Sequence, residues 1–85
     1  MNHTTPTVHP VPGGFVVATQ TDEDTYVVEG FIMGTDNYNG QAVSVPLSRW
    51  EASAAGLDAE IADHAKGIAD YLAYQDRRAA ETVML

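Results

Sequence analysis

The sequence predicts an α+β domain in which a three-stranded antiparallel β-meander packs against a C-terminal helix or helix pair. Two observations indicate this fold. Runs of β-branched and aromatic residues separated by short polar turns come first, and apolar residues at helical spacing fill the second half of the chain. A chain of 85 residues fits one domain. We expect a Pro-rich N-terminal arm, loose or extended, over residues 1–14, followed by a single small domain over residues 15–85.

Three short segments are predicted as strands. Residues 15–20 and 25–33 are rich in Val, Phe, Thr and Tyr, and residues 21–24 between them suit a hairpin connection. Residues 34–40, GTDNYNG, are dense in turn formers and end in Asn-Gly, which is a strong hairpin signal. A third strand over residues 41–45 is therefore expected to return antiparallel to the second.

The second strand divides its side chains between two sheet faces, because successive residues of a strand point in opposite directions. One face carries Tyr26, Val28, Gly30 and Ile32, and the other carries Val27, Glu29, Phe31 and Met33. Only Glu29 interrupts the apolar character of this strand. We therefore expect both faces of the sheet to be partly covered.

A helical region is predicted after Pro46, which is expected to end the sheet. Ser48 to Glu51 reads S-R-W-E and matches a capping box, so the helix should begin there and run to about Thr82. Gly56 either ends a first helical piece or is tolerated inside one helix, and Asp58 could cap a second start. An apolar stripe at helical spacing should lie across the sheet: Leu57, Ile61, Ala65, Ile68, Leu72 and Ala79.

The charge of the chain excludes several function classes. Twelve Asp and Glu against four Lys and Arg give a net charge of −8, which repels nucleic-acid phosphates and anionic membranes. The absence of cysteine excludes disulfides and thiolate chemistry. The sequence contains neither a long apolar run nor a signal-peptide pattern, so the expected location is the cytoplasm, that of the host cell if a phage encodes the chain.

No motif in the sequence indicates catalysis, a metal or a cofactor. Asp22, Glu23 and Asp24 lack the glycine and distal glutamate of a calcium loop, which favours a solvated turn. His64 follows Glu60 by four residues, which suggests a hydrogen bond along a helix face rather than a ligand or base. Ser48 is accounted for as a helix cap. We therefore expect a protein that is not an enzyme and binds no cofactor or metal.

The excess of acidic residues has two ordinary uses. A net charge of this size keeps a small protein in solution, and an acidic face can also steer association with a basic protein or nucleoprotein complex, where it takes the place of phosphates. The second use predicts a partner-binding surface. Its candidate residues are Asp22, Glu23, Asp24, Glu29, Asp36, Glu60, Asp63, Asp70 and Tyr74.

In residues 66–72, KGIADYL, the chain is similar to a K-G-x-A-D-aromatic-L stretch of a nucleic-acid-mimicking anti-CRISPR protein, and residues 78–81, RAAE, extend the likeness. The size, the acidity, the absence of cysteine and the predicted meander-plus-helix plan also resemble small phage-encoded anti-CRISPR proteins. These proteins share no common fold. The resemblance implies a non-catalytic inhibitor that binds a CRISPR effector complex and blocks access to DNA or recruitment.

An alternative is a self-associating structural or regulatory module, such as a phage accessory protein or an antitoxin-like partner. Its contact would centre on Tyr74 and the apolar residues 83–85, which could equally dock on their own domain or form a homodimer. Trp50 and Tyr71 are expected in the core or at its edge, because large aromatic side chains are usually mostly buried.

Overall fold

The computed structural model describes residues 6–36 and 38–83 and shows an antiparallel sheet followed by one long helix. The four strands lie side by side in sequence order, so the sheet is a simple meander. The α+β class predicted from the sequence is confirmed. The elements are β1 (Thr7–Val11), β2 (Gly14–Gln20), β3 (Thr25–Thr35), β4 (Ala42–Ser53), a 3₁₀ turn (Ala54–Gly56) and α1 (Leu57–Val83).

The predicted number of three strands was wrong, because residues 7–11 of the Pro-rich segment form a fourth. This strand, β1, pairs antiparallel with β2, from Thr7 opposite Ala18 to Val11 opposite Gly14. It lies at the edge of the sheet. An edge strand uses the hydrogen-bonding groups of one side only, so Pro10 is tolerated there despite its missing N–H. The turn to β2 includes Gly13 with φ of 82°, a conformation that favours glycine.

The predicted end of the third strand at Pro46 was also wrong, because β4 continues to Ser53. The register shifts between Gly30 and Phe31: Phe31 lies opposite Pro46, whereas Gly30 lies opposite Ser48. Leu47 is therefore the extra residue of a β-bulge. Bulges and prolines are both accommodated at sheet edges, and β4 is the second edge strand.

Consequently, Ser48 is not a helix cap. The helical region begins five residues later, where the Ser53 Oγ accepts a hydrogen bond from the Gly56 N–H at 3.2 Å. A 3₁₀ turn ends at Gly56 and a single helix follows, so the choice between one helix and two is resolved in favour of one. No helix within the described residues is both long and apolar enough to cross a membrane.

Both predicted hairpins are confirmed. Residues 21–24 connect β2 to β3, and the turn is closed by a 2.9 Å hydrogen bond from the Thr21 N–H to the Thr25 carbonyl. At the other end of β3, the Asp36 N–H donates to the Gln41 carbonyl at 2.8 Å. Gly40 has φ of 72° in this second turn, as expected for the glycine of an Asn-Gly pair.

The core lies between α1 and one face of the sheet. Ile68 of α1 is fully buried against Val16, Ala18 and Val28 of the two central strands. The predicted alternation in β3 is therefore correct, and its Val28 face is the one that the helix covers. Half-buried residues extend this core: Val11, Ile32, Leu47, Ala52, Leu57, Ile61, Ala65 and Leu72.

The predicted apolar stripe packs on the sheet as far as Leu72, whose side chain lies against Gly13 at the β1–β2 turn. Beyond it, residues 73–80 are all exposed, so Ala79 does not pack on the sheet as expected. The expectation that both sheet faces are covered was wrong as well. In residues 6–36 and 38–83, α1 packs on one face, and no described element covers the other.

Gly30 sits at the centre of the helix–sheet contact. A Cβ at this position would lie 2.8 Å from the Ser48 Oγ and 3.4 Å from the His64 Nδ1. The first distance is too short for any real contact, so a side chain here would displace the serine hydroxyl. Gly67 of α1 is the opposite case, because a Cβ added there would meet no neighbouring group within 4 Å.

These two glycines give a matched stability test. Gly30→Ala should lower the free energy of unfolding by about 1–3 kcal/mol, because the added methyl overpacks the interface. Gly67→Ala should raise it by up to about 1 kcal/mol, because alanine favours the helix. Urea denaturation of both variants measures the difference. A Gly30→Ala protein as stable as the parent chain would contradict the close approach of the helix to Gly30.

Candidate binding groove between the edge strand and the helix

A groove of about 350 Å³ lies between β4 and α1 on the helix side of the sheet. We call it the β4–α1 groove. Strand β4 contributes Leu47, Ser48 and Trp50, and the helix contributes Glu60, Asp63, His64, Gly67 and Tyr71. The helical residues recur at spacings of three and four, so they lie along one side of α1. Since β4 is an edge strand, the groove opens at the margin of the sheet.

A chain of hydrogen bonds forms the inner wall of the groove. The Ser48 Oγ lies 2.6 Å from the His64 Nδ1, and the His64 Nε2 lies 3.2 Å from the Glu60 Oε1. A carboxylate only accepts hydrogen bonds, so the Nε2 carries the proton. In the neutral imidazole the Nδ1 is then an acceptor, and the Ser48 hydroxyl donates to it. The imidazole is only 4% exposed, so both of its nitrogens are paired inside the protein.

The bulge and Gly30 together make this chain possible. With Leu47 as the extra residue of β4, Ser48 pairs with Gly30 and points to the helix side of the sheet. The missing side chain at Gly30 leaves the space that the Ser48 hydroxyl and the imidazole occupy. On α1, Glu60 and His64 are four residues apart and meet on one helix face.

The polarity of this chain matches that of a serine, a base and an orienting acid, which is the arrangement that activates a nucleophile. Its surroundings favour a structural role. The Ser48 Oγ lies over the Gly30 backbone, close to the point where the Ile68 side chain packs. We interpret Ser48 and His64 as a polar link that holds α1 on the sheet and orients Glu60.

The outer walls of the groove are aromatic. Trp50 is 67% exposed, so its expected place in the core was wrong. It lies on the helix side of an edge strand, at a position where α1 does not cover it. Tyr71 is half-buried on the helix, in agreement with an expected place at the core edge. Asp63 and Glu60, whose side chain is 27% exposed, line the same groove from α1.

The other predicted partner-binding residues are spread over the molecule. Asp22, Glu23 and Asp24 are exposed at the β2–β3 turn, and the Asp24 carbonyl accepts a hydrogen bond from the Ala54 N–H at 2.8 Å. This turn therefore lies beside the start of the helical region. Asp36 lies at the opposite end of β3, an eleven-residue strand that spans about 35 Å.

Two further candidates, Glu29 and Asp70, have partners of their own. Glu29 lies on the sheet face away from the helix, with an oxygen 3.9 Å from the Arg49 Nε. The Asp70 Oδ2 accepts a 2.7 Å hydrogen bond from the Lys66 Nζ. This hydrogen bond and the charge of Asp70 raise the pKa of the Lys66 ammonium, and the charge of Asp63 adds to the shift.

Tyr74 is half exposed on the projecting part of α1, and its hydroxyl accepts a 3.5 Å hydrogen bond from the Arg78 Nη1. The Arg78 guanidinium carbon also lies 6.0 Å from the centre of the tyrosine ring. Of the nine predicted residues, the structure thus brings Glu60 and Asp63 into one groove and distributes the rest.

Sequence reasoning missed Trp50, Ser48 and the contribution of β4. The S-R-W-E pattern of residues 48–51 fits both a capping box and an edge strand, and its interpretation as a capping box was wrong. The expected hydrogen bond between His64 and Glu60 is confirmed.

No protein-family model, curated protein or solved structure matches this chain. Within the described part of the chain, no three His, Asp or Glu side chains cluster in a way that could hold a metal ion.

The polar link can be tested with two serines of the same strand. Ser48→Ala removes the donor to the buried imidazole and should lower the free energy of unfolding by about 1–2 kcal/mol. Ser44→Ala changes an exposed residue of β4 and should stay within about 0.5 kcal/mol of the parent chain. Chemical denaturation compares the two variants. Equal stability of both would show that the Ser48 hydroxyl does not hold the helix.

Proposed function

We propose that this chain is a non-catalytic binding protein whose acidic surface engages a basic partner. The observation that carries the proposal is an exposed indole beside two carboxylates: Trp50, Glu60 and Asp63 line one groove. A tryptophan ring and carboxylates are the groups that attract a cation. The groove therefore suits a Lys or Arg side chain presented by the partner.

Two interactions act on such a side chain. The face of an indole attracts an ammonium or guanidinium by about 0.5–1 kcal/mol at an exposed site. Carboxylates at the same site add Coulomb attraction, and a guanidinium can also stack flat on the ring and donate two hydrogen bonds to one carboxylate. The net charge of −8 acts at longer range and steers a basic surface towards the chain.

Trp50 is the single tryptophan of the chain, so its fluorescence reports on the groove directly. Titration with an arginine-rich peptide should change the emission in a saturable, salt-sensitive way. Asp63→Lys should weaken this binding by about tenfold, because it replaces attraction with repulsion in the groove. Asp76→Lys makes the same charge change at an exposed residue of α1 outside the groove and should have little effect. Equal losses in both variants would indicate net charge alone and would overturn the groove as the site.

A finer form of the proposal is an inhibitor of phage or mobile-element origin that blocks a nucleic-acid-binding CRISPR effector. The support for it is the resemblance of residues 66–72 to an anti-CRISPR protein, together with the acidic composition. Two residues of that segment, Gly67 and Tyr71, line the β4–α1 groove. In this form, carboxylates of the chain occupy places that DNA phosphates would take in a Lys- and Arg-lined channel.

The acidic turn gives a test of inhibition. Changing Asp22, Glu23 and Asp24 together to Lys should abolish inhibition of target cleavage by a purified CRISPR effector, because the exposed tip then repels the basic channel. Circular dichroism serves as the check on folding, and Asp76→Lys, a charge change at an exposed residue of α1, serves as a surface control. Undiminished inhibition by the triple variant would remove the tip from the contact.

The alternative of a self-associating module had its contact on Tyr74 and residues 83–85. Tyr74 is half exposed, and Arg78 contacts its ring and hydroxyl. Met84 and Leu85 lie outside the described residues. A different surface, the sheet face away from the helix, gives this alternative its support.

A further inference from the structure

The sheet face away from α1 is rich in apolar side chains and uncovered by any described element. We call it the open face. The register of the four strands assigns its members, because residues paired across antiparallel strands share a face. Its apolar members are Val8, Pro10, Phe15, Val17, Val27, Phe31, Met33, Ala42 and Pro46, and its polar members are Thr19, Thr25, Glu29, Thr35, Ser44, Arg49, Glu51 and Ser53.

Large side chains stand at the centre of this face. Phe15 and Phe31 are opposite one another on β2 and β3, and their rings stack with centroids 5.0 Å apart and planes at 17°. Towards the margins, Val8 is 60% exposed and Met33 is 46% exposed. Apolar patches of this kind on a small acidic domain mark an interaction surface.

The charge of the open face favours an uncharged partner. Two carboxylates and one guanidinium give it a net charge of −1, although the whole chain carries −8. Arg49, one of only four basic residues, pairs with Glu29 in the middle of the face. A basic partner would gain little electrostatic attraction at the open face and far more at the groove on the helix side. The partner that fits is another apolar, nearly neutral surface.

We propose that the open face binds the open face of a second copy of this chain. A twofold dimer requires a surface that complements itself, and this face is rich in apolar side chains and nearly neutral. In size, the four strands are about 16, 22, 35 and 38 Å long, and at a spacing of about 4.8 Å they cover roughly 530 Å² per protomer in projection. Both protomers together therefore bury about 1,100 Å² of projected area. Side chains project from the sheet, so the accessible surface area that they bury is larger and reaches the range of stable interfaces.

The dimer goes beyond the proposed function, because it rests on the sheet face opposite the groove. Each protomer keeps its β4–α1 groove exposed when the open faces meet. The two grooves then face away from one another on one particle. A partner with two basic sites can engage both, which raises the apparent affinity without any new contact.

Sedimentation of the full chain over micromolar to submillimolar concentrations tests the dimer. The parent chain should sediment as a dimer. Met33→Asp and Val8→Asp place a charge on the open face and should raise the dissociation constant at least about tenfold. Val45→Asp is the matched control, because Val45 is 44% exposed but lies on the helix side of β4. It adds the same charge and should leave the dimer intact.

All three changed residues are exposed, so circular dichroism should show folded variants. A monomeric parent chain throughout the concentration range would overturn the proposal. Equal weakening by Val45→Asp and Met33→Asp would also overturn it, because it would place the contact elsewhere or attribute it to net charge. The fluorescence titration of Trp50 is unaffected by either outcome, so a failure of the dimer is distinguishable from a failure of the groove.

Discussion

The close approach of α1 to β3 over Gly30 is the contact on which the rest of this structure depends. Without a side chain at Gly30, the Ser48 hydroxyl reaches the His64 imidazole at 2.6 Å beside the buried Ile68. That bond satisfies a histidine which would otherwise be buried with an unpaired nitrogen, at a cost of about 1–3 kcal/mol. It also sets the position of α1 relative to β4. That position determines which residues of β4 and α1 line the groove.

The two faces of the sheet have different physical characters. The helix side contains the small core and, at the margin, the β4–α1 groove with its indole and carboxylates. The open face has aromatic and aliphatic side chains, and its central charge is paired. A domain of this size buries only about 60% of its unfolded surface. A binding surface on each face is consistent with so small a core.

Within the described residues, the acidic charge is divided between distant places. Carboxylates at the β2–β3 turn and at the β3–β4 turn lie at opposite ends of β3, and those of Glu29 and Asp70 have cationic neighbours. Local chemistry therefore distinguishes the candidate residues better than net charge does. Glu60 and Asp63 stand out, because they share a groove with an exposed tryptophan.

The sequence by itself determined the α+β class, both hairpins, the alternation along β3 and the bond between Glu60 and His64, because each depends on neighbours in the chain. It did not determine the pairing of β1, the bulge at Leu47 or the contact of Ser48 with His64. Those features depend on which segments meet across the sheet: an edge position tolerates Pro10 and Pro46, and Gly30 leaves room for the serine. The exposure of Trp50 was likewise decided by tertiary structure, since only the path of α1 determines which residues of β4 it covers.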